Sequence, residues 1–402
     1  MKFVHPWLPD LIMKLQLPEL FLIYHVKAYI IFFLLPILFV GCKSIEDFEE
    51  TAKYIIDLSD KNNVQPDSSL FESVEYIPLE LTPQSVIGEI HKILSVKNNF
   101  YILDRQFAKA IVVFDSKGKF KFAIRSNGNG PGEYLYVYDF DIDSKGNIYV
   151  LDLGLKKVIK YNDKGYFQQE FNLDFNPLEF AFLDSTNFAF YRITEHGKIL
   201  HNLSILNKKN NKTENYFPYR KYFDDRKIPL NSKFHLYRSN DRINFSLYFS
   251  NIIFSIKNVK LTPYIKIQSL FEPSSELYAV KQKLNSEKNF SSSDIKLIKD
   301  IYENNRLIIF SAENNNSIVY SKATNKVIEN KFKDKRYLGS TSFVGVYGDR
   351  FISYIDPTIA SYFPNWEQSV IACQTNKETK KGLLDIPLIG ITYLILVKFK
   401  NI

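Results

Sequence analysis

The sequence has 402 residues, of which 45% are hydrophobic and 15% aromatic, enough for one large core or for two ordinary domains. Its formal net charge of +8 comes from lysines and arginines scattered mostly in turns. This pattern excludes the basic helices and arginine-rich tracts typical of nucleic-acid-binding proteins, and the abundance of Phe and Tyr favours strands.

The N-terminal segment has the pattern of an export signal. Lys27 precedes an apolar stretch over residues 28–40, and Gly41 and Cys42 follow it. A membrane-spanning helix needs about 20 apolar residues, so this stretch is short for one and is typical of a secretory signal. We predict a signal segment over residues 1–41, starting at Met1 or at Met13. The alternative is an uncleaved anchor helix.

The residues that end this segment, Leu38-Phe39-Val40-Gly41-Cys42, resemble a lipobox, although Phe39 replaces the usual leucine. The resemblance implies a diacylglyceryl group on Cys42, which would anchor the chain to a membrane and leave Cys373 without a disulfide partner. Residues 42–66 are polar and predict a tether. Its acidic residues at 46–50 are either a surface-export signal or ordinary solvated charges.

Two segments, residues 98–120 and residues 146–167, are copies of one another with a period in the forties. Leu103-Asp104 corresponds to Leu151-Asp152, and Gly118 to Gly165. A repeat of this length built from short strands is typical of a β-propeller blade.

Each copy predicts four strands. In the second copy these are residues 136–143, 147–152, 157–162 and 166–172, separated in part by Ser-Lys-Gly and Asp-Lys-Gly turns. Glycine in such turns supplies the positive φ that tight hairpins need. The first copy has the same organisation from Ile90 to Ile124.

Weaker copies follow, which makes six units in all: residues 178–217, 234–269, 295–332 and an incomplete last unit at 338–354. We predict that an early strand (71–80) and a late strand (391–399) complete the last blade, so that a propeller over residues 67–402 closes on itself and leaves no free edge. A helical insertion at about 270–298 and a blade-six insertion at about 356–390 interrupt the pattern.

The segment from Phe122 to Phe171 contains Gly-Asn-Gly-Pro-Gly-Glu-Tyr (128–134), Gly-Asn-Ile-Tyr-Val-Leu-Asp (146–152) and an Asp-Lys-Gly turn. It resembles the six-bladed β-propeller lipoproteins of Gram-negative bacteria that are related to NHL repeats. The resemblance implies an all-β fold and an envelope location, at the outer membrane on its periplasmic or its surface side. It implies no reaction.

In a four-stranded meander (strands a to d), the b–c and d–a connections share one face of the propeller. The a–b and c–d hairpins share the other. All the irregular sequence falls on b–c and d–a connections, including both insertions. Because function concentrates on variable loops held by a rigid scaffold, we predict that this face carries the binding site.

The candidate binding residues on this face are Asp104, Arg105, Arg125, Glu133, Tyr134, Asp152, Tyr362 and Trp366. Six of them have an alternative, purely structural interpretation. Asp104 and Asp152 line a channel mouth or cap the loop backbone. Arg125 and Glu133 contact a ligand or pair with each other. Tyr362 and Trp366 stack on a sugar ring or a partner, or pack the insertion onto the propeller.

The glycines at 128, 130 and 132 have two interpretations as well. They let the backbone approach a ligand closely, or they fit a cramped connection between blades.

No residues are predicted to be catalytic, and no cofactor or metal is predicted. The run from Asp139 to Gly146 fails the EF-hand pattern, because Ser144 stands where glycine is needed, and an acidic strand face explains it. The histidines lack metal-ligand spacing. We therefore expect an envelope protein that binds a protein, peptide or glycan. The alternative is a propeller hydrolase or lyase whose central metal is held by several blades, an expectation from fold analogy alone.

Overall fold

The computed structural model describes residues 52–58, 70–192, 201–218, 234–239, 241–247, 250–268, 300–311, 317–330, 343–355 and 391–402. All of them belong to one compact unit, Ser44–Ile402. Within these ranges no helix is long and apolar enough to cross a membrane.

The described chain forms six sheets, each built on four antiparallel strands, which confirms the predicted all-β, six-bladed propeller; one sheet has a fifth strand. Blade 1 contains β3 (Lys92–Val96), β4 (Asn99–Asp104), β5 (Ala110–Asp115) and β6 (Phe120–Ile124). Blade 2 contains β7 (Val137–Ile142), β8 (Ile148–Asp152), β9 (Lys157–Tyr161) and β10 (Phe167–Asn172). Blade 3 contains β11 (Pro177–Phe182), β12 (Asn187–Arg192), β13 (His201–Asn207) and β14 (Lys212–Pro218).

Blade 4 contains β15 (Leu236–Ser239), β16 (Arg242–Ser246), β17 (Ile252–Lys257) and β18 (Lys260–Gln268). Blade 5 contains β19 (Ile301–Glu303), β20 (Leu307–Ser311), β21 (Ser317–Ser321) and β22 (Val327–Asn330). Blade 6 contains β23 (Gly345–Tyr347), β24 (Arg350–Ile355), β25 (Tyr393–Phe399) and, from the other end of the chain, β2 (Phe71–Pro78).

The core lies between the blades. Each of the six clusters of buried apolar side chains joins residues of two neighbouring sheets. The second and third strands of a blade are therefore covered on both faces, which explains the continuous apolar runs of β4, β5 and β8. The outermost strand β10 is largely exposed and alternates little.

The ring closes as predicted. β2 lies antiparallel to β25, with Phe71 opposite Phe399 and Pro78 opposite Tyr393. Strands from both ends of the described chain thus share one sheet, and the early strand supplies the outermost position of the last blade.

One strand corrects the predicted tether. β1 (Tyr54–Asp57) lies inside the segment predicted as a polar linker, and it pairs parallel to β18 as a fifth strand of blade 4. Ile56 is fully buried in the cluster between blades 4 and 5. A four-residue strand is too short to show an alternating pattern, so its sequence resembles a linker.

Candidate functional site

The strand ends that the long connections join lie on one face of the propeller, as predicted. The insertion at 356–390 lies between β24 and β25, and the segment 269–299 lies between β18 and β19. These are b–c and d–a connections. The a–b and c–d connections are all short hairpins, none longer than 143–147. We call the two faces the loop-rich face and the hairpin face.

Asp104 and Asp152 lie at the loop-rich face, where both side chains are fully buried and cap backbone N–H groups. The carboxylate of Asp104 accepts hydrogen bonds from the backbone N–H of Gly88 (2.7 Å) and Phe107 (2.9 Å), and that of Asp152 accepts them from Leu135 (2.9 Å) and Gly154 (2.8 Å). Of the two interpretations, the structure shows the loop cap. Each carboxylate ties a b–c loop to the connection that precedes its own blade.

Burial of Asp104 by itself raises the pKa of its carboxyl group. The backbone N–H groups of Ala108, Gly88, Phe107 and Glu89 outweigh that effect, and the resulting pKa lies below the ordinary value. Asp104 is therefore ionised at neutral pH.

The glycine-rich connection folds around Glu133. The Glu133 carboxylate accepts a hydrogen bond from Gly130 N (2.8 Å), and a Cβ on Gly128 would lie 2.1 Å from Glu133 Oε2. Gly132, at φ +74°, would meet the ring of Phe167 at 2.7 Å. The glycines are therefore explained by close packing within the connection between blades, the second of the two interpretations given for them.

Arg125 and Glu133 do not pair with each other. The Arg125 guanidinium donates instead to the backbone carbonyls of Gln84 and Val86, in the connection before blade 1. Tyr134 is fully buried, and its hydroxyl donates to the backbone carbonyls of Lys109 and Ile124, each 2.9 Å away. These residues hold neighbouring connections together.

Arg105 is partly exposed on the loop-rich face. Its guanidinium carbon lies 4.5 Å from the centre of the Tyr138 ring, a cation–π geometry. Tyr362 and Trp366 lie outside the described residues, as do Cys42 and the predicted helical insertion.

Sequence reasoning missed four exposed apolar side chains on the loop-rich face of blades 1 and 2. They are Val86 (48% exposed), Phe107 (69%), Leu135 (42%) and Tyr136 (65%), which we call the apolar cluster. Each lies in a b–c or d–a connection; Phe107, Leu135 and Tyr136 are within two residues of a predicted site residue, and the Val86 carbonyl accepts a hydrogen bond from Arg125. An apolar residue in such a connection, outside any strand, is the signal that identifies them.

Contacts join the connections that carry the apolar cluster. Gly88 lies directly against Phe107, and Gly154 lies against Leu135 and Tyr136. The Tyr134–Lys109 hydrogen bond brings the two loops together. The four side chains therefore belong to one braced surface.

The centre of the ring holds a cavity of about 330 Å³. Its charged lining includes Lys92, Arg238 and Glu303, and each already has a partner on another strand. Lys92 Nζ lies 2.7 Å from Asp139 Oδ1, Arg238 pairs with Asp141, and Glu303 pairs with Lys322.

Asp139 and Asp141 alternate along β7, in agreement with an acidic strand face. Over the described ranges, no three His, Cys, Asp or Glu side chains are arranged to hold a metal ion.

Comparison with known proteins identifies the fold. The family described as Domain of unknown function (DUF4934) matches residues 53–386. A protein of Bacteroides fragilis NCTC 9343 described as exported has a similar structure, with a TM-score of 0.64, 17% identity, and coverage of 86% of this chain and 100% of that chain.

Two further structures align less closely. A member of the DUF4221 family from Bacteroides vulgatus ATCC 8482 has a TM-score of 0.48 at 12% identity, covering 82% of this chain and 97% of that one. A streptogramin B lyase has a TM-score of 0.41 at 16% identity, covering 71% and 82%. No curated protein matches the sequence.

Proposed function

The chain belongs to the family described as Domain of unknown function (DUF4934), and for this propeller we propose a role as an envelope binding protein whose loop-rich face takes a protein partner. The apolar cluster carries this proposal. Apolar side chains gathered on one surface of a soluble fold mark interaction sites, and aromatic residues dominate the energy of protein–protein contacts.

The chemistry of the cluster favours a protein over a sugar. Val86 and Leu135 are aliphatic, and Phe107 has no group that can hydrogen-bond to hydroxyls. The exposed cations Lys109, Arg125 and Lys156 border these side chains. The matching partner surface has an apolar centre and carboxylates at its rim.

Site-specific crosslinking in the native cell tests this proposal. A photoreactive amino acid replaces Tyr136 on the loop-rich face or, as the control, Tyr166 on the hairpin face of the same blade, where 67% of the side chain is exposed. We expect a discrete protein adduct from position 136, absent at position 166 and lost when Phe107→Ala is added.

Equal adducts at both positions, or none at position 136, would contradict the proposal. Binding to a glycan array that Tyr136→Ala abolishes would replace the protein partner by a glycan.

We also propose export and a lipid anchor on Cys42, which the lipobox-like ending and the likeness to NHL-type lipoproteins support. The description of the Bacteroides fragilis protein as exported accords with this proposal. Metabolic labelling with an alkyne fatty acid is the test. Cys42→Ser should lose the label and leave the membrane fraction. A variant of unchanged mass that stays in the membrane would indicate an uncleaved anchor helix.

A further inference from the structure

Most of the exposed lysines of the described chain lie on the hairpin face. They stand in, or directly beside, the a–b and c–d hairpins of blades 1 to 5: Lys97, Lys117, Lys119, Lys145, Lys164, Lys209, Lys212, Lys257, Lys260 and Lys326. Exposed carboxylates in or beside the hairpins of this face are fewer: Asp163, Asp241 and Asp349, with Glu72, Glu80 and Glu214. The described part of the hairpin face therefore has a net positive charge.

Hairpins of four consecutive blades contact one another. Lys97 Nζ donates to Lys145 O (2.6 Å) between blades 1 and 2, and Asn304 Nδ2 donates to Asp349 O (3.0 Å) between blades 5 and 6. Tyr347 and Asn98 join blades 6 and 1 (3.3 Å). The lysines in the hairpins of blades 5, 1 and 2 thus belong to one continuous surface.

Nearby carboxylates are partly engaged in building the hairpins. Asp115 accepts hydrogen bonds from the backbone N–H of Lys117 (2.8 Å) and Lys119 (2.9 Å), and Asp143 accepts one from that of Lys145 (2.9 Å). Among the described residues of the loop-rich connections the exposed charges are more even, since Lys109, Arg125 and Lys156 stand with Glu89 and Asp174.

The first described strand has a defined direction. β1 runs parallel to β18, which starts at the 258–259 hairpin, so Tyr54 is at the end of β1 that is nearer the hairpin face. The Tyr54 ring lies 5.9 Å from Nζ of Lys322, a residue of the c–d hairpin of blade 5. Any N-terminal anchor lies upstream of this point.

Tyr166 adds an amphipathic group to the same surface. It follows Lys164 and Gly165 in the c–d hairpin of blade 2, with 67% of the side chain exposed. Tyrosine beside lysine is typical of surfaces that sit at the headgroup level of a bilayer.

We propose that the hairpin face docks on an anionic phospholipid surface. Basic clusters close to a membrane are attracted to anionic headgroups over about one Debye length, ~10 Å at 0.1 M salt. The proposal rests on the membrane attachment proposed above and specifies its geometry. The hairpin face lies against the bilayer, and the loop-rich face with its apolar cluster points away, towards a partner.

Lysine labelling of the full-length protein tests this arrangement. The protein is reconstituted in vesicles of phosphatidylcholine, with or without about a third of phosphatidylglycerol, and treated with a membrane-impermeant acylating reagent. Lys117 and Lys164 of the hairpin face are compared with Lys109 and Lys156, which are exposed in the b–c loops of the same two blades. Acylation of Lys117 and Lys164 should slow at least about threefold in the anionic vesicles and recover in high salt, whereas Lys109 and Lys156 stay unchanged.

Charge-reversal pairs give the matched variants. Lys117→Glu with Lys164→Glu should abolish the protection of Lys97 and Lys145, and Lys109→Glu with Lys156→Glu should leave it intact. Equal reactivity of all four lysines in both vesicles, or protection of Lys109 and Lys156, would overturn the docking.

Retention after a high-salt wash reports on the anchor separately. A protein that is retained but unprotected has an anchor and no docked face. A protein that the wash removes, but that is protected at low salt, docks without an anchor.

Discussion

At the residue scale, the acidic side chains that end β4 and β8 show how a polar residue on a functional face can be structural. Asp104 and Asp152 stand where a ligand group would be expected, yet both are fully buried and occupied by backbone N–H donors. The exposed apolar residues Phe107 and Leu135 lie in the connections that these carboxylates hold together. The short side chain of an aspartate next to a turn accepts hydrogen bonds from backbone N–H groups of that turn, which leaves its carboxylate unavailable to a ligand.

Asp104→Asn should destabilise the fold by about 1–3 kcal/mol, because an amide cannot accept from all the buried N–H groups that the carboxylate serves. Calorimetric melting checks this value. Asp163→Asn, at an exposed hairpin position, is the control and should change stability by less than about 0.5 kcal/mol.

The comparison of the wild type with Asp104→Asn also predicts how stability depends on pH. Because the folded-state pKa of Asp104 is lowered, its stabilisation is complete above the unfolded pKa of about 3.9 and is lost as the pH falls through the folded value. The difference in melting temperature between wild type and Asp104→Asn should therefore shrink in acid. A difference that stays constant would show that Asp104 does not act through its charge.

At the element scale, the hairpin glycines combine a local and a long-range role. Gly118 and Gly146 both have positive φ, +81° and +87°. Only Gly118 faces backbone of another blade, since a Cβ there would lie 2.0 Å from Pro78 O, at the end of the strand that closes the ring. At Gly146 the nearest atom to such a Cβ is Cβ of Asp163 at 3.2 Å, a tight contact that a shift of a few tenths of an ångström relieves.

Gly118→Ala should therefore destabilise the protein more than Gly146→Ala. Positive φ alone disfavours alanine by about 1–2 kcal/mol, and Gly118→Ala adds displacement of the closing strand. Chemical denaturation of the two variants measures the difference. Equal midpoints would mean that the contact at Pro78 relaxes without effect.

β1 forms through tertiary contacts and not through a local sequence pattern. Ile56→Ala should destabilise the fold by about 2–4 kcal/mol, because its fully buried side chain fills the core between blades 4 and 5. Its neighbour Ile55 is 47% exposed, and Ile55→Ala should have little effect. If both variants melt like the wild type, residues 54–57 behave as the tether predicted from sequence.

At the scale of the whole molecule, polar contacts link the blades around the centre. Lys92 joins blade 1 to Asp139 of blade 2, Glu179 of blade 3 accepts from the backbone of His235, and Asn244 of blade 4 donates to Glu303 of blade 5. Arg238 reaches furthest, from blade 4 to Asp141 of blade 2 and to the Phe182 carbonyl of blade 3.

Arg238→Met should destabilise the propeller by about 3–5 kcal/mol, because it leaves the buried Asp141 carboxylate without its cation. Lys257→Met, which removes the exposed partner of Asp241, should change stability by less than about 1 kcal/mol. Thermal unfolding compares the two. Adding Asp141→Asn to Arg238→Met should recover part of the loss, and failure to recover would argue against this pairing as its cause.

The sequence by itself determined the blades, because strand alternation, hairpin glycines and the repeat are local properties, each encoded within a few residues such as Asp163-Lys164-Gly165. It also determined which connections share a face, since that follows from the meander. Only the tertiary structure decided that Asp104 and Tyr134 are buried braces, that Phe107 and Tyr136 are exposed, and that residues 54–57 form a strand. Each of these depends on contacts with residues distant along the chain. For the same reason, lysines that look scattered in the sequence form a single basic face, because ring closure brings their hairpins together.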